Sequence, residues 1–242
     1  MSIKRKSTSK RKKKISNWKL QLKKWSIRII GGFFALTILW VIALRFTNPP
    51  ITYLMIKRGF EWKAAGKGFK IERSWLDYEE LSDNLKRAAI AGEDAHFLTH
   101  NGFDTKAIQK AITKNLDGGA LRGGSTISQQ VAKNVFLWPT RSWLRKGLET
   151  YFTVLIEVFW NKKRILEVYL NVIEMGQGVY GAEAASRYYF YKSGKSLTKK
   201  EAALIIAILP NPRKWDARSP SSYVNRRANS IVRYLNYYSI PQ

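Results

Sequence analysis

The sequence contains no cysteine, and acidic residues are scarce in it. Of its 242 residues, 43 are Lys or Arg and only 17 are Asp or Glu, which gives a formal net charge of +26 at pH 7. The lack of cysteine excludes disulfides and Cys-ligated metals, and it is compatible with an exported domain without proving export. No acidic cluster typical of a metal site is present, and runs of alternating apolar residues are missing. The second absence predicts a body that is mostly α-helical.

The positive charge is concentrated at the N-terminus but is not confined to it. The first 28 residues hold 12 Lys and Arg and no acidic residue, and the rest of the chain still carries 31 basic residues against 17 acidic ones. Such an excess indicates polyanionic partners, and the candidates are phospholipid, pyrophosphate and nucleic acid. A membrane-tethered nucleic-acid-binding protein would explain only the charge, because the usual recognition motifs are missing. We therefore expect no nucleic-acid partner.

One long apolar run follows the basic segment. Residues 29–44 carry no charge and are bracketed by Arg28 and Arg45. A membrane span needs roughly 17–25 residues, and snorkelling arginines can make up the difference. A cleaved signal peptide is the alternative, but no small-residue cleavage site follows the run. The pattern predicts a basic, disordered cytoplasmic tail over 1–25 and a single transmembrane helix over 26–46, with the rest of the chain outside the cytoplasmic (inner) membrane.

Residues 47–75 are expected to form a stalk and entry segment, and residues 76–242 a catalytic domain. Apolar residues recur there at helical spacing. The first predicted helix contains Leu85 to Ile90, and the second, capped by Asp104, contains Ile108, Ala111, Ile112 and Leu116. The third contains Ile127, Val131 and Val135, and the fourth is the run 142–160. A last buried helix runs from Ala202 to Leu209 and is opened by a capping box at Thr198 and Glu201.

Two adjacent carboxylates, Glu93 and Asp94, stand at a predicted helix end with His96 and His100 close by. A carboxylate in a partly buried cleft can accept a proton from an attacking hydroxyl. The alternative is an ordinary solvated helix terminus. The two histidines lie four residues apart, as in some zinc sites, but neither the intervening Glu nor a third nearby ligand is present. We therefore expect no metal site here.

A glycine pair followed by two hydroxyl residues, Gly123–Thr126, opens the next predicted helix. The free backbone N–H groups of such a helix start make a natural anion site. One turn further on, Gln129, Gln130 and Lys133 project along the helix, and Lys133 is placed to reach a phosphate. An ordinary capped helix would show the same opening.

Three cations and two acids lie on a predicted helix that is otherwise apolar. They are Arg141, Arg145, Lys146, Glu149 and Glu157. An apolar environment either raises the pKa of a carboxyl such as Glu149 by desolvation or holds it paired with a cation. A purely structural ion pair is the alternative for this segment.

In this order and spacing, the segments resemble the family-51 glycosyltransferases, the glycan-polymerising module of penicillin-binding proteins and of their monofunctional relatives. The resemblance covers roughly residues 75–215, and Ser128 stands where the family commonly has Thr. It is carried by Glu93-Asp94-x-x-Phe97-x-x-His100-x-Gly102-x-Asp104, Gly123-Gly124-Ser125-Thr126-Ile127-Ser128-Gln129-Gln130, Arg145-Lys146-x-x-Glu149, Ile165-Leu166-Glu167-x-Tyr169-Leu170-Asn171, and Gly176-x-Gly178-x-x-Gly181.

The resemblance implies a lysozyme-like helical lobe with a small hydrophobic jaw against the membrane. It implies that Glu93 is the general base that deprotonates the 4-hydroxyl of an acceptor lipid II. That oxygen would attack C1 of the growing strand and expel undecaprenyl pyrophosphate with inversion. Glu149 would assist the leaving group or organise its charge.

The other site residues are implied in the same way. Lys133 and Arg141 match positions that neutralise the pyrophosphate, and Arg145 and Lys146 are further candidates. The remaining substrate-binding candidates are Asp94, Phe97, His100, Ser125, Thr126, Gln129, Gln130 and Asn171.

The expected partners are lipid II, the growing glycan strand and membrane lipid, and other cell-wall synthesis proteins stay open. No cofactor is expected to be required, although Mg²⁺ could bridge the pyrophosphate. A lysozyme-like hydrolase or lytic transglycosylase is the alternative function, but it would not need the cationic site. A fused transpeptidase domain is not expected in 242 residues, since Lys192-Ser193-Gly194 is not preceded by a Ser-x-x-Lys nucleophile in the body.

Overall fold

A helix of 39 residues, α1 (Thr8–Phe46), begins the part of the chain that the computed structural model describes, namely residues 8–106, 109, 124–140 and 142–242. Its stretch Trp18–Phe46 is long and apolar enough to cross a membrane, which confirms the predicted apolar helix. The helix starts earlier than predicted, since residues 8–25 were expected to be disordered. No Gly or Pro occurs between residues 8 and 30, so nothing in the sequence interrupts the helix there.

The chain divides into two units, residues 1–44 and 45–242, and the second contains all the other elements. The prediction of a mainly α-helical protein is confirmed. The helices of the second unit are α2 (Tyr53–Ala64), α3 (Asp83–Glu93), α4 (Ile127–Phe136), α5 (Trp143–Phe159), α6 (Lys162–Val172), α7 (Ala182–Phe190), α8 (Lys199–Ile208) and α9 (Ser222–Tyr234), with 3₁₀ turns at Tyr78–Glu80, Gly194–Ser196 and Leu235–Tyr237.

Helix α3 is held in the core by α8 and α9, against which it packs. Its predicted apolar face is confirmed, because Leu85 and Ile90 are both buried. Near its end, a Cβ on Gly92 would come within 2.6 Å of Cγ2 of Ile206 on α8. Glycine at this position therefore permits the close approach that fixes the last residue of the helix, Glu93.

Helix α4 packs against both α5 and α6. Its predicted stripe is buried at Ile127 and Val131. Thr126 caps the helix in a capping box, in which its side chain accepts from the backbone N–H of Gln129 and the Gln129 side chain accepts from the backbone N–H of Thr126. The predicted helix start is therefore confirmed, and it fixes the direction in which the next turn of α4 projects.

Three very short strands form a sheet that the sequence pattern did not predict. They are β1 (Glu72–Arg73), β2 (Glu174–Gly176) and β3 (Val179–Tyr180), in the order β1-β3-β2. Strand β1 runs parallel to β3, and β2 runs antiparallel to it. Strands of two or three residues, both residues of β3 being buried, are too short to show apolar alternation.

The capping box at Thr198 and Glu201 is present and opens α8 as predicted. The prediction that this helix is the last one was wrong, because α9 follows it. The buried face of α9 is the narrow stripe of Val224, Ala228 and Ile231 in an otherwise polar helix. The segment 47–75, expected to be a stalk, contains α2 and β1. The helix predicted after Asp104 lies mostly outside the described residues.

Candidate active site

Glu93, the last residue of α3, is held from two directions. Gln130 on α4 donates from Nε2 to Glu93 Oε2 at 3.0 Å, and Arg227 on α9 donates from Nη2 to Oε1 at 2.8 Å. The Glu93 side chain is 14% exposed, so the carboxylate is confined but still reaches a cavity. Each of its oxygens therefore has a fixed position set by a separate helix.

Burial raises the pKa of the Glu93 carboxyl above its ordinary value. The hydrogen bond from Gln130 and the charges of Arg227 and Lys133 act in the opposite direction but do not cancel the effect of burial. A carboxylate whose pKa is raised is a stronger base than one with the ordinary pKa. Glu93 is therefore suited to accept a proton in a reaction near neutral pH.

Asp94, the next residue, is directed into the protein. Its two carboxylate oxygens lie 2.9 and 3.0 Å from His100 Nε2, and Oδ2 accepts from the backbone N–H of Ile127 at 2.9 Å. The backbone N–H of Gly102 donates to His100 Nδ1 at 3.1 Å, so the ring proton of His100 is on Nε2. Asp94 and His100 thus tie the loop after α3 to the start of α4.

The loop is also fixed through its glycine. Thr126 donates from Oγ1 to the carbonyl of Gly102 at 2.7 Å. Gly102 has φ +88°, and a Cβ there would lie 2.8 Å from Cγ2 of Thr153 on α5. Both the left-handed backbone and the close contact require glycine. The Thr126 hydroxyl, a predicted substrate contact, is therefore used within the protein.

Lys162 on α6 fastens the other side of the loop. Its ammonium donates to the carbonyl of His100 at 2.7 Å and to Oε1 of Glu157 at 2.8 Å, and it lies 4.7 Å from the ring centre of Phe97. Ser128 donates to the same Glu157 oxygen. Phe97 is fully buried. Glu157 consequently belongs to a structural ion pair, one of the two interpretations that the sequence allowed for its segment.

A cleft of about 370 Å³ lies beside α4 and α5 and contains most of the predicted cations. In its wall, Arg145 Nη1 lies 3.2 Å from Glu149 Oε2, and Lys146 Nζ lies 2.5 Å from Oε1. Glu149 itself is only 3% exposed. Its carboxylate therefore fixes two cations at the cleft. The lining residues are Leu54, Ser125, Gln129, Gln130, Lys133, Asn134, Leu137, Pro139, Arg145, Lys146 and Glu149.

Lys133 differs from the other cations of the cleft. Within residues 18–106, 124–140 and 142–242, it has neither a hydrogen-bond partner nor an acid within 4 Å, although Glu149 and Glu93 influence it from further away. Burial lowers the pKa of its amine below the ordinary value. A half-buried ammonium that lacks a close counterion among these residues is positioned to receive an anionic ligand.

A second cavity of about 170 Å³ adjoins this cleft, and Ser125 lines both. Glu93 lines the smaller cavity together with His96 and Asp104, whose Nδ1 and Oδ2 atoms are 2.7 Å apart. Among the described residues, no group of three or more His, Asp or Glu is arranged to hold a metal ion. The carboxylate and the cations thus face two neighbouring cavities that share Ser125, which suits a reaction between two bound groups.

One further predicted residue, Asn171, lines neither of the two cavities. Asn171 is fully buried, and its amide bonds to the backbone N–H and carbonyl of Leu76 and to the carbonyl of Glu167. Arg141 lies outside the described residues. Arg227 was not predicted, because it is 134 residues from Glu93 in sequence and no motif marks it. Asn134 was also missed, although it directly follows Lys133.

Comparison with known proteins gives matches over most of the chain. A family model described as Transglycosylase matches residues 63–236. A biosynthetic peptidoglycan transglycosylase of Pseudomonas fluorescens (strain Pf-5) is 50% identical over 210 residues, which cover 87% of this chain and 88% of the relative. The protein of the same name from Pseudomonas savastanoi pv. phaseolicola is 52% identical over 205 residues, covering 85% and 87%. That from Xanthomonas campestris pv. campestris (strain B100) is 50% identical over 211 residues, covering 87% and 86%.

Proposed function

The chain belongs to the transglycosylase family and is a peptidoglycan glycosyltransferase, and on that premise we propose that it polymerises lipid II and releases undecaprenyl pyrophosphate. The observation that carries the proposal is the pair of neighbouring cavities that share Ser125, one lined by the partly buried carboxylate of Glu93 and the other by three cations. A hydrolase of similar fold would need the carboxylate, but it would have no use for the cations.

Glu93 acts as the general base in the proposed reaction. Its carboxylate takes the proton of the acceptor 4-hydroxyl while that oxygen forms a bond to C1 of the growing strand. Gln130 and Arg227 hold the two carboxylate oxygens, so the base does not have to be oriented during the reaction. The bond from C1 to the pyrophosphate breaks on the opposite face, which inverts the configuration.

The leaving pyrophosphate is stabilised by the cations of the 370 Å³ cleft. A pyrophosphate departs as an anion, so it needs positive charge more than it needs a proton donor. Lys133 supplies an ammonium that has no close acid among the described residues, and Glu149 holds Arg145 and Lys146 at the wall. We therefore assign Glu149 to organising these cations. Mg²⁺, if it takes part, would be held by the substrate's pyrophosphate and would add positive charge beside Lys133.

The proposed location is the cytoplasmic membrane. The Lys-rich N-terminus stays in the cytoplasm by the positive-inside rule, the apolar part of α1 spans the bilayer, and residues 47–242 lie outside. Large apolar side chains are exposed in the second unit, notably Phe60, Trp143 and Leu144. Such a surface suits contact with lipid and with a polyprenyl substrate.

Incubation of the purified full-length protein in detergent with labelled lipid II tests the proposal. We expect a ladder of glycan polymers on a resolving gel, together with released undecaprenyl pyrophosphate. The same preparation should leave preformed glycan strands intact. Cleavage of those strands without consumption of lipid II would favour the lysozyme-like hydrolase or lytic transglycosylase.

Replacing Arg227 by Met is expected to move the acid limb of the kcat/KM profile to higher pH. The positive charge of Arg227 lowers the pKa of Glu93, so its removal raises that pKa further above the ordinary value. The base is active only when ionised, so activity is lost as pH falls through the raised pKa. Polymerisation rates measured across the acidic and neutral pH range give the limb directly.

Arg226→Met is the matched control, because Arg226 is exposed one residue earlier on the same helix. It should leave the acid limb where the wild type has it. An unchanged limb in Arg227→Met, with a folded protein, would show that Arg227 does not tune the base. A plateau rate that fell with no shift of the limb would indicate a purely structural contribution.

A further inference from the structure

A third cleft, of about 480 Å³, lies on other elements than the active site and shares no lining residue with it. It is formed by α2, by β2 with the turn after it, and by the segment that follows α8. We call it the Arg213 cleft. Its polar lining residues are Arg58, Glu174, Gln177, Asn211, Arg213 and Lys214.

Glu174 is the acid of the Arg213 cleft, and the protein satisfies it only in part. Its side chain is 9% exposed, and its Oε1 atom is buried and has no hydrogen-bond partner among the described residues. Arg58 places its Nε 3.7 Å from Oε2 of Glu174, and no other described residue within reach accepts a hydrogen bond from that Nε. Burial raises the pKa of Glu174 despite the charges of Arg58 and Arg213 and a hydrogen bond from the backbone of Gly178. A buried carboxylate oxygen in this state favours a donor from a ligand.

The cationic side of the Arg213 cleft also has unused donors. Among the described residues, the acid that comes closest to Arg213 is Glu61, whose Oε2 is 3.9 Å from Nη1, beyond hydrogen-bond distance. Within the described parts of the chain, the side chains of Lys214, Gln177 and Asn211 make no hydrogen bond or ion pair with other residues. The cleft therefore offers two cations and two amides to a ligand that has both charge and peptide-like polarity.

This combination selects one class of ligand. A phosphate would match Arg213 and Lys214 but would be repelled by Glu174, and an apolar chain would leave all these groups unsatisfied. A short peptide with a free carboxylate and an amine matches both charges, and its amides match the side chains of Gln177 and Asn211. Lipid II carries such a peptide on its sugar.

We propose that the Arg213 cleft binds the stem peptide of the substrate, with a peptide carboxylate at Arg213 and Lys214 and an ammonium or amide N–H at Glu174. The identity of the peptide rests on the proposed function. The cleft would then act on substrate recognition and have no part in the chemical step, because none of its residues lines the cavity of Glu93.

The test compares Arg213→Gln with wild type on two substrates, lipid II with its full peptide and lipid II from which the peptide has been removed. Loss of one charge-assisted contact should raise KM for the peptide-bearing substrate by about tenfold and leave kcat nearly unchanged. The peptide-free substrate should show no difference between the two proteins. Arg233→Gln, at an exposed arginine of α9, is the matched control and should behave as wild type.

A KM that rises equally for both substrates, or for neither, would overturn the proposal. Calorimetric titration of the full-length protein with the soluble stem peptide separates this test from the proposed function. Binding by wild type that Arg213→Gln weakens would support the cleft even if no polymer were formed. Equal binding by both proteins, or none, would count against it.

Discussion

Glu93→Gln is expected to lower the rate of lipid II polymerisation by about 10²–10⁴-fold, the range that general-base catalysis contributes. Glutamine retains the size of the side chain and an oxygen that can accept from Arg227, but its amide cannot take a proton from the attacking hydroxyl. KM should change little, because Glu93 is assigned to the chemical step. Single-turnover rates on labelled lipid II measure the effect.

The stability of this variant separates a catalytic role from a structural one. Because the pKa of Glu93 is raised by burial, its ionised form at neutral pH costs the folded state free energy. Removing the charge should therefore leave the thermal unfolding temperature in detergent unchanged or higher. Glu79→Gln, at an exposed acid paired with Lys163, is the control and should retain full activity. If folded Glu93→Gln formed polymer at the wild-type rate, the polymerase function would stand, but the assignment of Glu93 as the general base would be wrong.

The main helices and the nature of the site residues could be predicted because both depend on local sequence. Apolar spacing marked the buried face of α4, and a capping motif marked its start. Lys133 follows from the same motif, since it projects from α4 one turn beyond the cap. The role of Glu149, which lies on the buried face of α5, came from the resemblance to the family. Arg227 could not be found in this way, because its contact with Glu93 depends on how α9 packs against α3.

The direction in which the polar side chains of the loop after α3 point could not be predicted from the sequence either. Asp94, His100 and Thr126 have the same chemistry as substrate-binding residues, and their spacing does not distinguish the two uses. In the structure Asp94 pairs with the ring of His100, while His100 and Thr126 both bond to the backbone of Gly102. The path of the folded loop brings them together, and they tie the loop after α3 to the start of α4. Their contact with substrate stays a prediction.

The second large effect is expected at Lys133. Lys133→Met should reduce kcat by about 10²–10³-fold, as the loss of a group that stabilises charge in the transition state does. Lys146→Met is the matched comparison on the same cleft. Lys146 is 47% exposed and already paired with Glu149, so its loss should cost about fivefold or less. Steady-state rates on lipid II, with thermal unfolding as a check on the fold, give both values.

The pH dependence of Lys133 provides the decisive control. Burial lowers the pKa of its amine, so in the free enzyme the cation is lost as pH rises through a value below 10.5. That loss should form the alkaline limb of the kcat/KM profile. Lys133→Arg introduces a guanidinium that keeps its proton, so it should restore part of the rate and move the limb to higher pH. A limb that stayed in place in Lys133→Arg would assign the titration to another group. Equal losses in Lys133→Met and Lys146→Met would show that the cleft acts through its total charge and gives Lys133 no special position.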